Sequence, residues 1–394
     1  MSAVRPTLAS VYTLRNRTEL LQGGRPYFDR LLQLLATARQ IIHVQIYIFE
    51  ADETGREVAA ALKAAAQRGV QVYLLLDGYA SQSLPQAFID DMKLAGVKHR
   101  WFEPLFRSKS YYFGRRLHHK VVVVDGAAAL VGGINISNRY NDMPGQPAWL
   151  DWALFVEGEA ALQLDAVCAR LWNKSALRKN YAIKPVITAR QILFEEECLV
   201  RVRRNDWVNR RVEISRSYLE MMRRAEHEII IMSSYFLPGR LIRTALQGTI
   251  RRGVRIKVII AGLSDVKLAK AAERYWYPWL LRQGIQIYEY QPRVLHGKMS
   301  VYDSKWVTVG SYNVNNISAY ASLELNLDVL NAAFGKEAHE RLQKIIDNDC
   351  IEITAERFER SKGILAAFYY WLSYEFYRLM VFLFTFYFRQ RKKE

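Results

Sequence analysis

The fold of this chain follows from the stretch Leu117-His118-His119-Lys120-Val121-Val122-Val123-Val124-Asp125, because its pattern occurs twice. The second copy is Leu295-His296-Gly297-Lys298-Met299-Ser300-Val301-Tyr302-Asp303. In each copy a Lys follows the His by two positions and an Asp follows the Lys by five. The first copy leads to Gly132-Gly133-Ile134-Asn135 and the second, after the same interval, to Gly310-Ser311-Tyr312-Asn313. Two patterns that agree in every spacing from His to Asn indicate a duplicated functional unit.

Each copy predicts a buried strand that presents its His and its Lys together. Residues 121–124 and 299–302 are short apolar or β-branched runs, which are typical of strands. Side chains alternate along a strand, so residues two apart face the same side. The glycines after each run make a tight turn that brings Asn135 or Asn313 near the same place. Two imidazoles, two ammoniums and two amides suit an anionic, tetrahedral phosphate.

The doubled pattern resembles the signature of the phospholipase D superfamily, His-x-Lys-x4-Asp followed by Gly-Gly/Ser-x-Asn. The resemblance covers nearly the whole chain. Within the superfamily the chain is most similar to the bacterial cardiolipin synthases, of the shorter type without N-terminal membrane spans. Further stretches support this narrower resemblance: 47–55, 65–70, 76–78, 234–236 and 252–256.

The resemblance implies a covalent mechanism in which one His attacks phosphorus and the other acts as acid and then base. By position, His118 is the nucleophile and His296 the general acid/base. The phosphoryl oxygens are then bound by Lys120, Lys298, Asn135 and Asn313. The lysines and amides supply positive charge and donors, so we expect neither a metal nor another cofactor.

Four carboxylates accompany the histidines. Asp125 and Asp303 complete the catalytic signature, but they sit at strand ends, and we expect a structural contribution from them. Asp151 lies 33 residues after His118, and Glu324 lies 28 residues after His296. The resemblance assigns both the task of holding a histidine in its reactive tautomer. For Asp151 an ordinary strand-end carboxylate remains the alternative.

Two further histidines are predicted to stay outside the chemistry. His43 lies in the apolar run 41–49 and is read as a packed strand residue. His119 faces the side opposite to His118, and Gly297 replaces it in the second copy.

The segment 107–116, just upstream, interleaves basic and aromatic residues, which fits either a solvated loop or lipid-headgroup contact. Residues 138–149 form a predicted loop that could cover the site.

The rest of the chain predicts an α/β fold in which strands and helices alternate twice. An apolar spacing with helical period runs through 18–35. The other predicted helices of the first half are 57–68, 88–94 and 160–172, and its predicted strands are 41–49, 70–76, 97–102 and 151–156. In the second half the predicted helices are 217–225, 241–252 and one ending over 275–281, and the predicted strands are 228–232, 254–260 and 285–290.

Matching landmarks indicate a duplicated domain. Gly69 and Gly96 each end a helix in the first half, as Gly253 and Gly284 do in the second. We therefore expect two tandem phospholipase D-like α/β/α domains, residues 1–185 and 186–350, related by a pseudo-two-fold axis with the two motifs facing each other. Asp77 breaks the symmetry, because Ala261 stands in its place.

Residues 351–394 are predicted to form a membrane-associating tail. Residues 363–388 are dense in aromatic and aliphatic side chains, and Arg389-Gln390-Arg391-Lys392-Lys393 follows. Glu375 and Arg378 interrupt the run, which disfavours a full span. The pattern favours a helix lying in the membrane interface. The alternative is a helix packed on the protein or on a partner chain.

Composition agrees with an acidic partner. Lys and Arg number 56 against 39 Asp and Glu, a net charge of +17, which suits anionic lipid or nucleic acid. Hydrophobic residues make up 51% of the chain, which excludes a disordered protein. The three scattered cysteines show no metal-ligand spacing and are expected to be buried thiols in a reducing compartment. No secretory signal is apparent at the N-terminus.

The function that we expect is cardiolipin synthesis from two molecules of phosphatidylglycerol. Phosphatidylethanolamine or glycerol is a possible co-substrate, and the oligomeric state is open. We expect a peripheral or monotopic protein on the bacterial inner membrane, with its catalytic domains on the cytoplasmic side and no nucleic-acid partner. Three alternatives remain: a hydrolytic phospholipase D, a nucleic-acid phosphodiesterase suited by the net charge and the basic runs 201–204 and 251–252, and a non-enzymatic lipid-binding scaffold.

Overall fold

A computed structural model describes residues 12–104, 115–174, 197–361 and 363–385. The predicted domain boundary at residue 185, most of the basic and aromatic segment before His118, and the basic end of the chain lie outside these residues. None of the helices within the described ranges has the length and apolar character that a bilayer crossing requires.

The first half builds one mixed sheet flanked by helices. The strands of this sheet are β1 (Asn16–Gln22), β2 (Ile41–Ile46), β3 (Gln71–Asp77), β4 (Lys98–Phe102), β6 (Lys120–Val124), β7 (Ala128–Gly132) and β8 (Trp152–Gly158). The short strand β5 (Arg116–Leu117) belongs to the same half of the chain but pairs with residues 322–323 of the second half. The helices of the first half are α1 (Arg25–Thr37), α2 (Glu53–Gln67), α3 (Gln86–Leu94) and α4 (Glu159–Lys174).

The second half repeats this plan and then extends it. Its strands are β9 (Leu199–Asp206), β10 (Arg211–Val212), β11 (Glu228–Met232), β12 (Arg255–Ala261), β13 (Gln286–Tyr290), β14 (Met299–Tyr302), β15 (Trp306–Gly310), β16 (Ser322–Leu330) and β17 (Cys350–Ile353). Its helices are α5 (Glu213–Arg224), α6 (Arg240–Arg251), α7 (Lys267–Arg274), α8 (Tyr277–Arg282), α9 (Asn316–Tyr320), α10 (Ala332–Asp349), α11 (Ala355–Ser361) and α12 (Ile364–Thr385).

The two sheets have the same strand order, which confirms the duplicated α/β architecture. The first runs β1-β8-β7-β6-β2-β3-β4, and the second contains the equivalent series β9-β16-β15-β14-β11-β12-β13. In both, the motif strand pairs antiparallel with the central strand, and the central strand pairs parallel with the next. Strand β17 adds to the second sheet by pairing with β13, so this unit extends beyond the predicted boundary at residue 350.

The halves pack through an apolar core that they share. One cluster of buried side chains includes Val121, Val131 and Trp152 from the first half together with Met299 and Leu325 from the second. The Trp152 ring reaches across the boundary, and its indole N–H contacts the Met232 sulfur at 3.3 Å. Burying a large apolar side chain contributes about 1.5–3 kcal/mol, so this cluster fixes the two motif strands against each other.

Several strands were not among the predicted elements, and β9 shows why. Strand β9 places Arg201 and Arg203 inside the protein, where both lie against Asp328 of β16. Charged side chains at inward positions hide the alternation that marks a half-buried strand. Strand β1, with its Glu19 and Arg17, leads into α1 without an apolar run of its own. The helical spacing that the sequence showed in this stretch, at Phe28, Leu31, Leu32 and Leu35, lies within α1.

Candidate active site

The two motif strands hold their histidines and lysines as the alternation predicted. His118 lies two residues before Lys120 at the start of β6, and His296 lies two residues before Lys298 at the start of β14. Both lysine side chains are almost completely buried. The predicted pairing of one imidazole with one ammonium in each half is therefore present in the structure.

Each histidine is hydrogen-bonded to a carboxylate that belongs to the other half of the molecule. His118 Nδ1 lies 2.8 Å from Glu324 Oε2, and His296 Nδ1 lies 2.6 Å from Asp151 Oδ2. Distance along the chain associates each carboxylate with the histidine of its own half, but the structure pairs each with the other histidine. Both carboxylates have no exposed surface. A carboxylate accepts, so Nδ1 carries the proton and Nε2 of each ring is left for chemistry.

The backbone makes the same crossing twice. Leu117, which precedes His118, pairs with Leu323, which precedes Glu324. Leu150, which precedes Asp151, bridges to Leu295, which precedes His296. His118 N donates to the Leu323 carbonyl at 3.0 Å, and His296 N donates to the Leu150 carbonyl at 2.8 Å. These contacts place each histidine beside its partner carboxylate, and they confirm that the motifs face each other.

The lysines are held by groups at the start of their strands. Lys120 Nζ donates to the His118 carbonyl at 2.9 Å, and Lys298 Nζ donates to the His296 carbonyl. Lys298 also donates to Ser234 Oγ at 3.1 Å. At the equivalent place in the first half the Tyr47 ring lies 4.9 Å from Lys120 Nζ and packs against His118. Ser234 and Tyr47 lie in stretches that support the family resemblance, 234–236 and 47–55, but the sequence alone assigned neither of them a role beside a lysine.

Asp125 and Asp303 lie away from the histidines and organise loops. The Asp125 carboxylate accepts three backbone N–H groups, from residues 39, 40 and 41. Asp303 accepts the equivalent three, from residues 226, 227 and 228. Each aspartate therefore ties the turn after its motif strand to the start of the neighbouring strand. This geometry is the structural contribution expected of them.

The two asparagines are buried at the turns that follow the motif strands. Asn135 accepts a hydrogen bond from Ile48 N at 3.1 Å and donates one N–H to the Tyr140 hydroxyl at 2.9 Å. An amide nitrogen carries two hydrogens, so one donor of Asn135 remains. The side-chain oxygen of Asn313 is buried without a hydrogen-bond partner. Buried polar atoms are rarely left unpaired, so both side chains keep capacity for a bound group.

His43 and His119 occupy the structural places predicted for them. His43 is buried on β2 with Nε2 at 3.6 Å from Asp165, and burial lowers its pKa to about 4. His119 Nδ1 lies 3.0 Å from Gln45 Oε1, and burial lowers its pKa to about 3. Gly297 replaces it in the second half because a Cβ there would lie 2.8 Å from Trp152 and 2.9 Å from Met232.

The segment 138–149 contributes two rings to the site. The Tyr140 ring lies 5.2 Å from the His296 ring, and the Trp149 ring lies 6.2 Å from it. The sequence predicted a covering loop here without naming these rings. They give His296 an apolar surround that belongs to the other half of the molecule.

Tyr235 and Asp265 were also missed. The Tyr235 hydroxyl donates to Asp265 Oδ1, and Tyr235 directly follows Ser234, which contacts Lys298. Asp265 lies in the loop between β12 and α7 and is exposed. The charge of Asp265 acts to raise the pKa of His296, against the effects of burial and of the two lysines.

Asp77 stabilises the backbone at the start of the first motif. It is fully buried, and its carboxylate accepts the backbone N–H of Leu117 at 2.8 Å and those of Tyr79 and Ala80. Burial raises the pKa of Asp77, while these hydrogen bonds and Arg116 act against that shift. Ala261 cannot do this in the second half, so the asymmetry seen in the sequence has a backbone role.

Burial dominates the electrostatics of the centre. It lowers the pKa of His118, where Glu324 acts in the opposite direction, and it lowers the pKa of His296 further with the help of Lys298 and Lys120. Burial also lowers the pKa of both lysines and raises the pKa of Asp151 to about 7. Charges concentrated in so small a buried volume favour an anion among the two lysines.

Comparison with known proteins gives consistent matches. The family model described as "Cardiolipin synthase, PLD-like domain" matches residues 31–172 and again residues 218–349. Cardiolipin synthase B of Escherichia coli (strain K12) is 35% identical over 344 residues, which are 86% of this chain and 82% of that protein. Cardiolipin synthase B of Salmonella typhi is 36% identical over 342 residues, with the same coverage.

A solved structure matches the fold. Phosphatidylserine synthase from Haemophilus influenzae superposes with a TM-score of 0.69 at 14% identity, covering 95% of this chain and 96% of that one. At this identity the similarity concerns the fold alone, and it extends over nearly the whole length of both chains.

Proposed function

Because this chain belongs to the phospholipase D-like cardiolipin synthase family, we propose that it transfers a phosphatidyl group between two phosphatidylglycerol molecules, giving cardiolipin and glycerol. The observation that carries the proposal is the pair of crossed His–carboxylate contacts beside two buried lysines. A structural protein has no need of two ionisable centres with such strongly shifted pKa values in one buried volume.

In the first step His118 Nε2 attacks phosphorus of one phosphatidylglycerol. Glu324 holds the other ring nitrogen at 2.8 Å, which orients the lone pair and stabilises the charge that the ring acquires. The bond from phosphorus to the headgroup glycerol breaks, and His296 gives its proton to that departing oxygen. A phosphatidyl group is then bound to His118 and free glycerol leaves.

In the second step the roles of His296 reverse. It takes the proton from a hydroxyl of the second phosphatidylglycerol, whose oxygen attacks phosphorus. The bond between phosphorus and His118 breaks, and cardiolipin forms. A bound phosphodiester anion beside His296 raises the pKa of that imidazole, which prepares it to act as the acid in the first step.

Lys120 and Lys298 stabilise the phosphoryl oxygens, and Asn135 and Asn313 add donors. The lysines approach from opposite halves, so the negative charge that develops on phosphorus lies between two ammonium groups. Asp125 and Asp303 keep the motif turns in place and do not touch the substrate.

The membrane and the domain boundaries complete the proposal. The first unit comprises residues 1–185, the second begins at 186 and continues through α11, and α12 begins the tail. The tail associates peripherally with the bacterial inner membrane, with the catalytic halves on its cytoplasmic side. The exposed apolar side chains of α12 and the basic sequence after it support this arrangement.

Use of nucleic acid as the substrate is disfavoured by the basic run on β9. Arg201 bonds to Asp328 and Glu220, Arg203 bonds to Ser217, and Arg204 N binds Glu213. Binding along the backbone of a nucleic acid requires Lys or Arg side chains that are accessible on the protein surface. Arg201, Arg203 and Arg204 are therefore part of the second sheet's internal support, whereas the other basic run, Arg251-Arg252, is exposed at the end of α6.

The test is mass spectrometry of lipids after the protein meets phosphatidylglycerol vesicles, with His118→Ala and His296→Ala as controls. Cardiolipin and glycerol in equal amounts, absent from both controls, are expected. Phosphatidic acid alone would mean that water takes the phosphatidyl group, and the proposal would give way to a hydrolase. No lipid product would remove lipids as substrates.

A further inference from the structure

Helix α12 has one packed side and one exposed apolar side. Tyr374 stacks on Tyr275 with ring centroids 4.6 Å apart, and Tyr377 is buried in a cluster with Ala272. On the opposite side the apolar residues are exposed, among them Leu365 at 85%, Phe368 at 58% and Leu379 at 52%. One side of α12 therefore packs on the protein, and the other side has the exposed apolar character expected of a helix that lies in the membrane interface.

The direction of α12 brings its C-terminal end toward the active site. Tyr374 meets Tyr275 and Tyr377 meets Ala272, so α12 runs antiparallel to α7. The N-terminus of α7 follows the loop that carries Asp265. Residues near the end of α12, such as Leu379 and Phe382, therefore lie level with that loop and the first turn of α7.

The loop itself is apolar and exposed. Leu263 is 52% exposed, Val266 45% and Leu268 39%. Asp265 lies between Leu263 and Val266 in the sequence and accepts a hydrogen bond from the Tyr235 hydroxyl. The residue before Tyr235, Ser234, accepts a hydrogen bond from Lys298. A second link runs from α12 to the site, because Asn316 N donates to the Tyr377 hydroxyl at 3.1 Å, three residues after Asn313. Two short series of contacts thus connect the exposed apolar residues with the Lys298 and Asn313 end of the catalytic centre.

We propose that Leu263, Val266 and Leu268 form, with the exposed side of α12, one docking surface for an anionic lipid bilayer. This docking surface rests on the proposed function and deepens it. It places the active-site side of the protein against the membrane, in addition to the contact that the tail makes. The docked active site receives phosphatidylglycerol headgroups directly from the lipid surface.

Charge and composition identify the lipid surface as the occupant. The sequence after α12 supplies Arg389, Arg391, Lys392 and Lys393, and the chain carries a net charge of +17. A segment that combines basic residues with an apolar helix face binds anionic bilayers in two ways, because its apolar side chains are buried in the lipid and its positive charges attract the headgroups. The exposed face mixes Phe, Tyr and Trp with Leu, and aromatic rings of this kind favour the headgroup level of a bilayer.

The test separates docking from chemistry by the form of the substrate. The loop variant carries Leu263→Ser, Val266→Ser and Leu268→Ser, and the helix variant carries Leu365→Ser, Phe368→Ser and Leu379→Ser. Leu94→Ser is the matched control, because Leu94 is 89% exposed on α3 of the other half. Each is assayed on phosphatidylglycerol vesicles and on dihexanoyl phosphatidylglycerol kept monomeric in solution, and flotation measures vesicle binding.

Both triple variants are expected to lose about tenfold or more in vesicle binding and in turnover of vesicle lipid. Turnover of the monomeric substrate should stay within about twofold of the unmodified protein, as should every value for Leu94→Ser. The helix variant and the loop variant should both lower vesicle binding, because their substitutions lie on one surface.

Other outcomes overturn the inference. Equal losses on both substrates would mean that the loop shapes the site, and unchanged vesicle binding would mean that no bilayer docks there. A helix variant that turns a dimer into a monomer in sedimentation, with vesicle binding intact, would assign the face to a second copy. If the unmodified protein turns over neither substrate, the proposed function fails, and flotation of the variants still decides the docking surface.

Discussion

The two half-sites perform the same task with different side chains. In the first half Gly133 lies against Asp151, and a Cβ at that glycine would overlap the carboxylate. In the second half Ser311 occupies the equivalent place, and its hydroxyl donates to Glu324. The shorter Asp151 sits close to the backbone and takes a hydrogen bond from Trp152 N at 2.8 Å, whereas Glu324 reaches further and is held by a hydroxyl.

This difference teaches that a duplicated site need not stay equivalent. The carboxylate beside His118 accepts a second hydrogen bond, and the Tyr47 ring packs against His118. The His296 ring lies beside Tyr140 and Trp149, and the charge of Asp265 acts to raise its pKa. A nucleophile requires a fixed neutral ring, and an acid requires a proton that it can release. The surroundings of the two rings fit this division of work.

The largest effect should come from removing the crossed carboxylates. Glu324→Gln and Asp151→Asn keep the size of each side chain but remove the charge that orients the ring, so turnover of phosphatidylglycerol should fall on the order of 10³-fold in each. Nitrogen-15 spectra of the histidine rings test the crossing itself. Glu324→Gln should shift the His118 signals and leave those of His296 nearly unchanged.

Signals are assigned from His118→Ala and His296→Ala, and thermal unfolding shows whether each variant is folded. The account is contradicted if Glu324→Gln shifts mainly the His296 ring, because the pairing would then lie within each half.

A swap of the two turn residues sharpens the comparison. Gly133→Ser forces Asp151 to move and should lower turnover about 100-fold, because His296 loses its support. Ser311→Gly removes one hydrogen bond to a charged group and should lower turnover about tenfold. Rates on phosphatidylglycerol vesicles, read beside thermal unfolding, measure both. Equal effects, or a larger loss in Ser311→Gly, would show that the two turns are interchangeable.

The smallest effect should come from Asp265→Asn. Burial and the two lysines lower the pKa of His296, and Asp265 acts against them. Without this carboxylate the pKa falls further, so at a given pH fewer molecules carry the proton needed by the acid. The alkaline limb of turnover should therefore move to lower pH, with a loss of about two- to threefold near its midpoint.

Asp29→Asn, on the exposed side of α1, serves as the control and should leave the profile unchanged. High salt should shrink the effect of Asp265→Asn, since the carboxylate is exposed and screened. A shift of the limb to higher pH would contradict the role given to Asp265.

The sequence predicted the parts of the site that depend on local geometry. His118 and Lys120 face one side because side chains alternate on a strand, and the same holds for His296 and Lys298. The second sheet was predictable by analogy, since the same landmarks recur in it. The loop over residues 138–149 was also placed correctly, although its rings were not named.

What the sequence left open depends on contacts between distant segments. Nothing local shows that Glu324 serves His118, because the two residues are 206 positions apart in the chain. Tyr235 and Asp265 meet only after two loops fold together. Arg201 and Arg203 looked like a surface patch until Asp328 was placed beside them in the second sheet.

The most direct test of the account is to trap the phosphatidyl group. His296→Ala is incubated with a phosphatidyl ester of p-nitrophenol, a leaving group that departs without a proton, and peptides are analysed by mass spectrometry. The account predicts the phosphatidyl adduct on the peptide that contains His118, and no adduct when the donor meets His118→Ala. An adduct on His296 in His118→Ala, with none on His118 in His296→Ala, would contradict it.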